Sequence, residues 1–209
     1  PEESNYKDIE YATKMYKKFV KELWKSGTTR IAVFATVHKE SSMKLMDIFK
    51  EVGLGAYVGK VNMNMNCPDT LLENTLDSIA DTEEIINKVK SLKLQKGITL
   101  SGGEPFLQPE PLEEIAKEAK INGLDVWSYT GFTFEQLLDK KNRAYFKNLN
   151  LLKQIDILVD GKFIAEKKDI SLKFRGSSNQ RIIDVQKSLK YKQVFLVEQY
   201  MKDDLSIAE

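Results

Sequence analysis

The 209-residue chain is 42% hydrophobic and carries 32 basic against 31 acidic residues, a formal net charge of +1. That length and apolar content suit one core or two small ones, and the charge balance offers no bulk field for nucleic acid or an anionic membrane surface. One cysteine excludes an internal disulfide, no apolar run reaches the ~18 residues that read as a membrane helix, and the start, PEESNYKDIEY, is too polar for a signal peptide, so a soluble, reducing, cytoplasmic setting is expected.

In chain order, residues 4 to 25 set Tyr11, Met15, Phe19 and Leu23 on one helical stripe with lysines between, an amphipathic helix that Gly27 ends. Thr29 to Val37, TRIAVFATV, is β-branched and almost wholly apolar, the pattern of a strand covered on both faces. Ser41 and Ser42 are placed to cap a helix through Glu51 that Gly53 ends, with Met43, Met46 and Phe49 as its core side. LGAYVGKVNMN reads as a second strand. Thr70 to about Ser91 reads as helix with a break near Asp81, where Asp81 or Thr82 with Glu84 would start a new turn. The alternation continues with a strand over 97 to 101, a helix over 110 to 121, a strand over 124 to 129, a helix from 133 to 139 or a little beyond, a strand over 155 to 160 and a last strand near 193 to 198. This predicts an α/β fold of parallel βαβ units: a partial or hybrid (β/α) barrel of mainly parallel strands with outer helices.

The chemistry concentrates in Gly97 to Pro105, GITLSGGEP, where an apolar strand runs into two glycines, an acid and a proline. Gly102 and Gly103 allow backbone conformations closed to other residues and leave carbonyls and amides bare, and Glu104 adds a fixed negative charge. Carbonyl lone pairs and a carboxylate together suit the three donors of an ammonium group. A plain Gly-Gly turn beside a solvated Glu104 fits the tetrapeptide equally well.

SGGEP after a hydrophobic strand resembles the S-adenosylmethionine (SAM) binding turn of radical SAM enzymes. PEPLEEIAKEAKINGLDVWSYTGFTFEQL, IDILVDGKF and FRGSSNQRIIDV are similar to the anaerobic ribonucleoside-triphosphate reductase activating proteins, over about Lys93 to Val197. The first half resembles a different family: RIAVFATVHKESS, GLGAYVGKVNMNMNCPDTLLENT and SIADTEEII, within about Pro1 to Lys88, look like an internal piece of guanine deaminase, an amidohydrolase with a (β/α) barrel. The two likenesses meet between about Asp81 and Lys96, where two barrel fragments can be joined at equivalent helix-to-strand positions. The chain therefore reads as a chimera of a deaminase-like fragment, 1 to 92, and an activating-enzyme-like fragment, 93 to 209, with one joint barrel as an option.

Barrel folds bind ligands past the carboxyl ends of their strands. On the resemblance, Gly102, Gly103 and Glu104 receive the SAM ammonium, Ser128 or Thr130 the ribose hydroxyls, and the Asp160/Lys162 pair, whose spacing puts both side chains on one face of a strand, the SAM carboxylate through Lys162. Arg175, Ser177, Asn179 and Arg181 form a donor-rich loop toward the nucleoside or a partner, which the resemblance makes a glycyl-radical reductase. The plainer alternatives are a turn at Asp160-Gly161, a solvated Lys162, and Ser178 or Asn179 capping a following helix. The activating enzymes use a [4Fe-4S] cluster to cleave SAM and install a glycyl radical, and the deaminases a zinc site. Cys67 is the single cysteine and His38 the single histidine, so the three thiolates of the one and the His-rich set of the other cannot be assembled from this sequence. His38 and Cys67 are expected to be structural. Three readings follow: a SAM-binding half without its cluster and inactive alone, a guanine deaminase, or a non-catalytic hybrid barrel that binds a nucleoside-like ligand.

Overall fold

The computed structural model describes residues 2–64, 67–91 and 97–201. The chain divides into two compact units, Pro1–Ser91 and Leu92–Glu209.

In the first unit a 3-10 turn, Glu2–Lys7, leads into helix α1, Ile9–Lys25. Asp8 fixes the start, because its carboxylate accepts from the Glu10 and Tyr11 amides. The buried stripe is Ala12, Tyr16 and Val20, about one residue round from the expected Tyr11-Met15-Phe19 line, and Phe19 is exposed. Strand β1, Arg30–Phe34, pairs in parallel with β2, Gly55–Gly59, across helix α2, Lys39–Val52. Ala12, Tyr16, Val20, Leu45, Ile48, Phe49 and Leu54 form the core, with Ile31, Val33, Ala56 and Val58 packed on it from the sheet. The expectation that β1 is covered on both faces fails within this unit. Its burial alternates, and Phe34 is 69% and Tyr57 78% exposed on the open face. Helices α1 and α2 pack on one face of the two-stranded sheet, and the unit's third helix packs on α2 rather than on the other face.

Ser41 and Ser42 do not cap α2. His38 holds the N-cap position without a side-chain bond, while the buried serine hydroxyls donate to the carbonyls of Tyr6 and Thr36. Gly53 ends the helix in the left-handed conformation, φ 72°. Helix α3, Thr75–Ser91, starts on Asn74, whose side chain accepts from the Leu76 amide at 2.8 Å. It runs unbroken through Asp81, whose carboxylate pairs instead with Lys39 at 2.9 Å. The expected junction continues to Lys96, and residues 92–96 lie outside the described residues.

The second unit carries a four-stranded sheet in the order β3-β4-β5-β6, with β3 Gly97–Leu100, β4 Asp125–Tyr129, β5 Ile157–Asp160 and β6 Arg181–Asp184. The first three are parallel and β6 is antiparallel to β5. The helices are α4, Pro109–Ile121, α5, Phe134–Leu137, α6, Tyr145–Leu152, α7, Val185–Tyr191, and α8, Glu198–Met201. Helix α5 opens on the capping box that TFEQ spells, Thr133 with Gln136. The last strand is at 181–184; the expected one near 193–198 is reduced to a single bridge, Ile183 to Leu196. The fold is mixed α/β with parallel pairing in both sheets, and neither described sheet closes into a barrel. No helix of the described residues is long and apolar enough to cross a membrane.

Candidate functional site

The turn after β3 has the backbone its sequence demands. Gly102 and Gly103 both take positive φ, 85° and 53°, and a Cβ on either would meet nothing within 4 Å. Conformation, not crowding, therefore requires glycine there. Both residues are exposed.

Glu104 is not a solvated acid. Its Oε1 accepts from the Thr130 hydroxyl at 2.7 Å and the Phe106 amide at 3.1 Å, and its Oε2 accepts from the Gly131 amide at 2.7 Å. The carboxylate thus ties the turn after β3 to the turn after β4 and caps the 3-10 turn Pro105–Leu107. A carboxylate offers about four lone-pair positions, so one on Oε2 stays open, and a ligand cation there would draw its other acceptors from the carbonyls of the turn. Thr130 is committed to the same link. Its hydroxyl donates to Glu104 and accepts from the Phe132 amide at 3.1 Å, leaving one position at most for a sugar hydroxyl.

Ser128 lies deeper. It is fully buried, shares a sheet face with the buried Leu100, Leu158 and Ile183 through the strand register, and its hydroxyl has no partner among the described residues. Ser128 is enclosed within the strand, whereas Thr130, just past its end, is bonded to Glu104, so the two differ in what they can offer a ligand.

Asp160 and Arg181 are brought together, and a third residue completes them. Arg181 Nε and Nη2 donate to Asp160 at 2.9 and 2.5 Å, and Nη1 and Nη2 to Glu135 at 3.0 and 2.8 Å. Asp160, 1% exposed, also accepts from the Phe134 amide at 2.8 Å, the first residue of α5. Bonding to Asp160, then to Glu135, pushes the Arg181 guanidinium above its ordinary range, and the guanidinium holds Glu135 down to about 2. The group is a clamp from α5 to the β5-β6 pair. Nothing local in the sequence marks Glu135's part, since 46 residues separate it from Arg181.

Lys162 is not on a strand face with Asp160. β5 stops at Asp160 and Gly161 turns the chain at φ 97°, so the two-residue alternation ends and Lys162 stands exposed. The donor-rich loop binds itself. Asn179 donates to the Lys162 carbonyl at 2.9 Å, Gln180 to the Gly161 carbonyl at 2.9 Å, Arg175 to the Gln180 carbonyl at 3.3 Å, and the Ser177 hydroxyl accepts from the Ile164 amide at 3.2 Å. Neither Ser178 nor Asn179 caps a helix: strand β6 follows, and Asp184 caps α7 through the Lys187 amide at 2.9 Å.

In the first unit, burial lowers the pKa of His38, whose Nε2 has no partner among the described residues, and Cys67 Sγ lies 3.9 Å from the Met63 carbonyl. No group of three or more His, Cys, Asp or Glu side chains among the described residues is arranged to hold a metal ion.

The class these features define is an α/β protein with a glycine-acid turn at the carboxyl end of a parallel strand. The chain belongs to the 4Fe-4S single cluster domain family, whose profile matches residues 62–183. It is 41% identical over 105 residues to the anaerobic ribonucleoside-triphosphate reductase-activating protein of Haemophilus influenzae, covering 48% of this chain and 63% of that one. It is also 35% identical over 109 residues to the guanine deaminase of Dictyostelium discoideum, covering 52% of this chain and 22% of that one. Among solved structures, guanine deaminase from C. acetobutylicum with bound guanine is similar at a TM-score of 0.52 and 32% identity, over 77% of this chain and 45% of that one. That share exceeds either unit, so the deaminase likeness runs past the first. Relatives of both kinds expected from the sequence are therefore present, and the chain spans less than two thirds of the length of each. The family's cluster does not fit the donors here: a cubane takes three or more thiolates, and this chain has one cysteine.

Proposed function

We propose that this chain is a hybrid of two barrel-derived β/α fragments whose surviving capacity is ligand binding at the Gly102-Gly103-Glu104 turn, without catalysis by the chain alone. The ligand is SAM or a related nucleoside-bearing amino acid. The observation that carries the reading is the ready-made turn: two left-handed glycines fix the backbone, and Glu104, clipped to Thr130 and Gly131, keeps one acceptor position open. Its carbonyls and Glu104 hold the ammonium, with Lys162 the candidate for the carboxylate. Ser128, Asp160 and Arg181 act as supports beneath the site. The likeness to the reductase-activating protein makes a glycyl-radical reductase the candidate macromolecular partner and a cytoplasmic setting the expectation.

Titration calorimetry with SAM tests this. Saturable binding that Gly103→Val abolishes and Lys162→Ala weakens is expected; no saturable heat, or binding indifferent to Gly103→Val, refutes it. Anaerobic reconstitution should give no stoichiometric iron and sulfide, and a full cluster on this one-cysteine chain overturns the claim of inactivity. Guanine turnover with added zinc tests deaminase chemistry, and a chelator-sensitive rate establishes it in place of the present reading.

A further inference from the structure

Three buried polar atoms of the first unit have no hydrogen-bond partner among the described residues: Glu3 Oε1, Tyr16 Oη and His38 Nε2. They come from three segments that meet. The Tyr6 ring lies 5.3 Å from that of Tyr16 and 5.4 Å from that of Tyr11, centroid to centroid, which seats the 3-10 turn on α1. The Tyr6 carbonyl accepts from Ser41 in the first turn of α2, the helix that His38 starts. The Glu3 charge acts on both Tyr16 and His38. Tyr16 is 6% exposed, so bulk water cannot serve its hydroxyl.

Buried polar groups in folded chains are nearly always bonded, and those that no side chain reaches are commonly served by an internal water with about three partners. We propose that Glu3, Tyr16 and His38 line a closed polar pocket between the 3-10 turn, α1 and the connection from β1 to α2, and that it holds ordered water. The donor inventory selects that ligand. Glu3 only accepts, Tyr16 donates and accepts, and neutral His38, which burial favours, does one or the other at Nε2. Glu3, with Glu73 and Glu40 acting at His38 against the one cation Lys7, disfavours an anion, and only Glu3 and His38 of the three are metal-ligating types, short of the three or more such side chains a bound metal ion takes. Water has two donors and two acceptors and fits all three. The bridge latches the N-terminal turn onto the carboxyl end of β1.

Substitution of Tyr16 by Phe in the full chain is the test, because it deletes one oxygen and keeps the ring. Hydrogen exchange of the α1 amides gives the opening constant of the unit. A bridged hydroxyl predicts that Tyr16→Phe raises this constant about tenfold, and that Tyr16→Phe combined with Glu3→Ala raises it by less than the product of the two. A dry, unpartnered hydroxyl predicts the reverse, an unchanged or smaller constant, and that result overturns the proposal, as does simple multiplication of the two effects. Solvent electron density within hydrogen-bond reach of all three atoms in a crystal supports it, and an empty pocket there refutes it.

Discussion

Replacing Arg181 by alanine separates a structural clamp from a ligand contact. Asp160, 1% exposed, is served by Arg181 Nε at 2.9 Å, Arg181 Nη2 at 2.5 Å and the Phe134 amide at 2.8 Å, so the variant leaves a buried carboxylate with one donor of three. Removing one partner of a buried ion pair costs about 3–5 kcal/mol. Arg181 is itself 30% exposed, so water enters its place and the lower end, about 3 kcal/mol, is expected. The Glu135 arm adds little: that side chain is 58% exposed, and such pairs contribute below about 1 kcal/mol. The sum corresponds to roughly a hundredfold in the unfolding constant, since about 1.4 kcal/mol is a decade. Trp127 reports it, because its ring packs at 5.1 Å on Phe174 and 5.6 Å on Tyr200 within the same unit. Urea unfolding is followed by Trp127 emission in a Trp24→Phe background, Trp24 belonging to the other unit. A loss below about 1 kcal/mol, or a Glu135→Gln loss as large as that of Arg181→Ala, refutes the assignment of the clamp to the buried Asp160 bond.

The Glu135 carboxyl, held near 2 by Arg181 against an ordinary 4.5, should contribute stability that is complete above pH 4.5 and fades as pH falls toward 2. Urea midpoints across that range should fall less in Glu135→Gln than in the parent, and parallel curves would contradict the pairing. A Cβ at Gly97 would stand 2.3 Å from the Asp125 carbonyl, so Gly97→Ala should force β3 from β4 at a cost of about 1–3 kcal/mol in the same unfolding assay; a neutral substitution would show that the strands are not so closely paired. Glu104→Ala should speed exchange of the Gly131 and Phe106 amides, which lose their acceptor, and unchanged protection would show that the two turns are not tied through this carboxylate. The His38 ring should titrate below 6.5 by NMR, because burial disfavours its charged form, and a midpoint at or above that value would contradict the burial.

Much of the local structure was legible. Gly53 and the Gly102-Gly103 turn take the left-handed backbone that their residue type advertises, and the helix expected from 133 starts there, on a capping box of Thr133 with Gln136. Other local signals misled. Ser41 and Ser42 look like caps, yet their hydroxyls serve the carbonyls of Tyr6 and Thr36, 35 and 6 residues away. Asp81 looks like a helix start, yet Lys39 takes its charge and α3 continues. α6 and β6 escaped notice because they are short, 8 and 4 residues, and gain their stability from what they pack on: Leu151, Leu152, Ile182 and Ile183 are all fully buried.

The sequence by itself determined the alternation of strands and helices, where glycine had to turn the chain, and how few thiols and imidazoles there are for a metal. Only the tertiary structure decided which stripe of α1 is buried, that Ser128 is fully enclosed while Thr130 serves the turn, and that Arg181 grips Asp160 and Glu135. The physical reason is range. Backbone dihedrals and helix ends are set by a residue and its near neighbours, whereas the Glu104-Thr130 and Arg181-Glu135 bonds join positions 26 and 46 residues apart and exist only once the strands between them have paired.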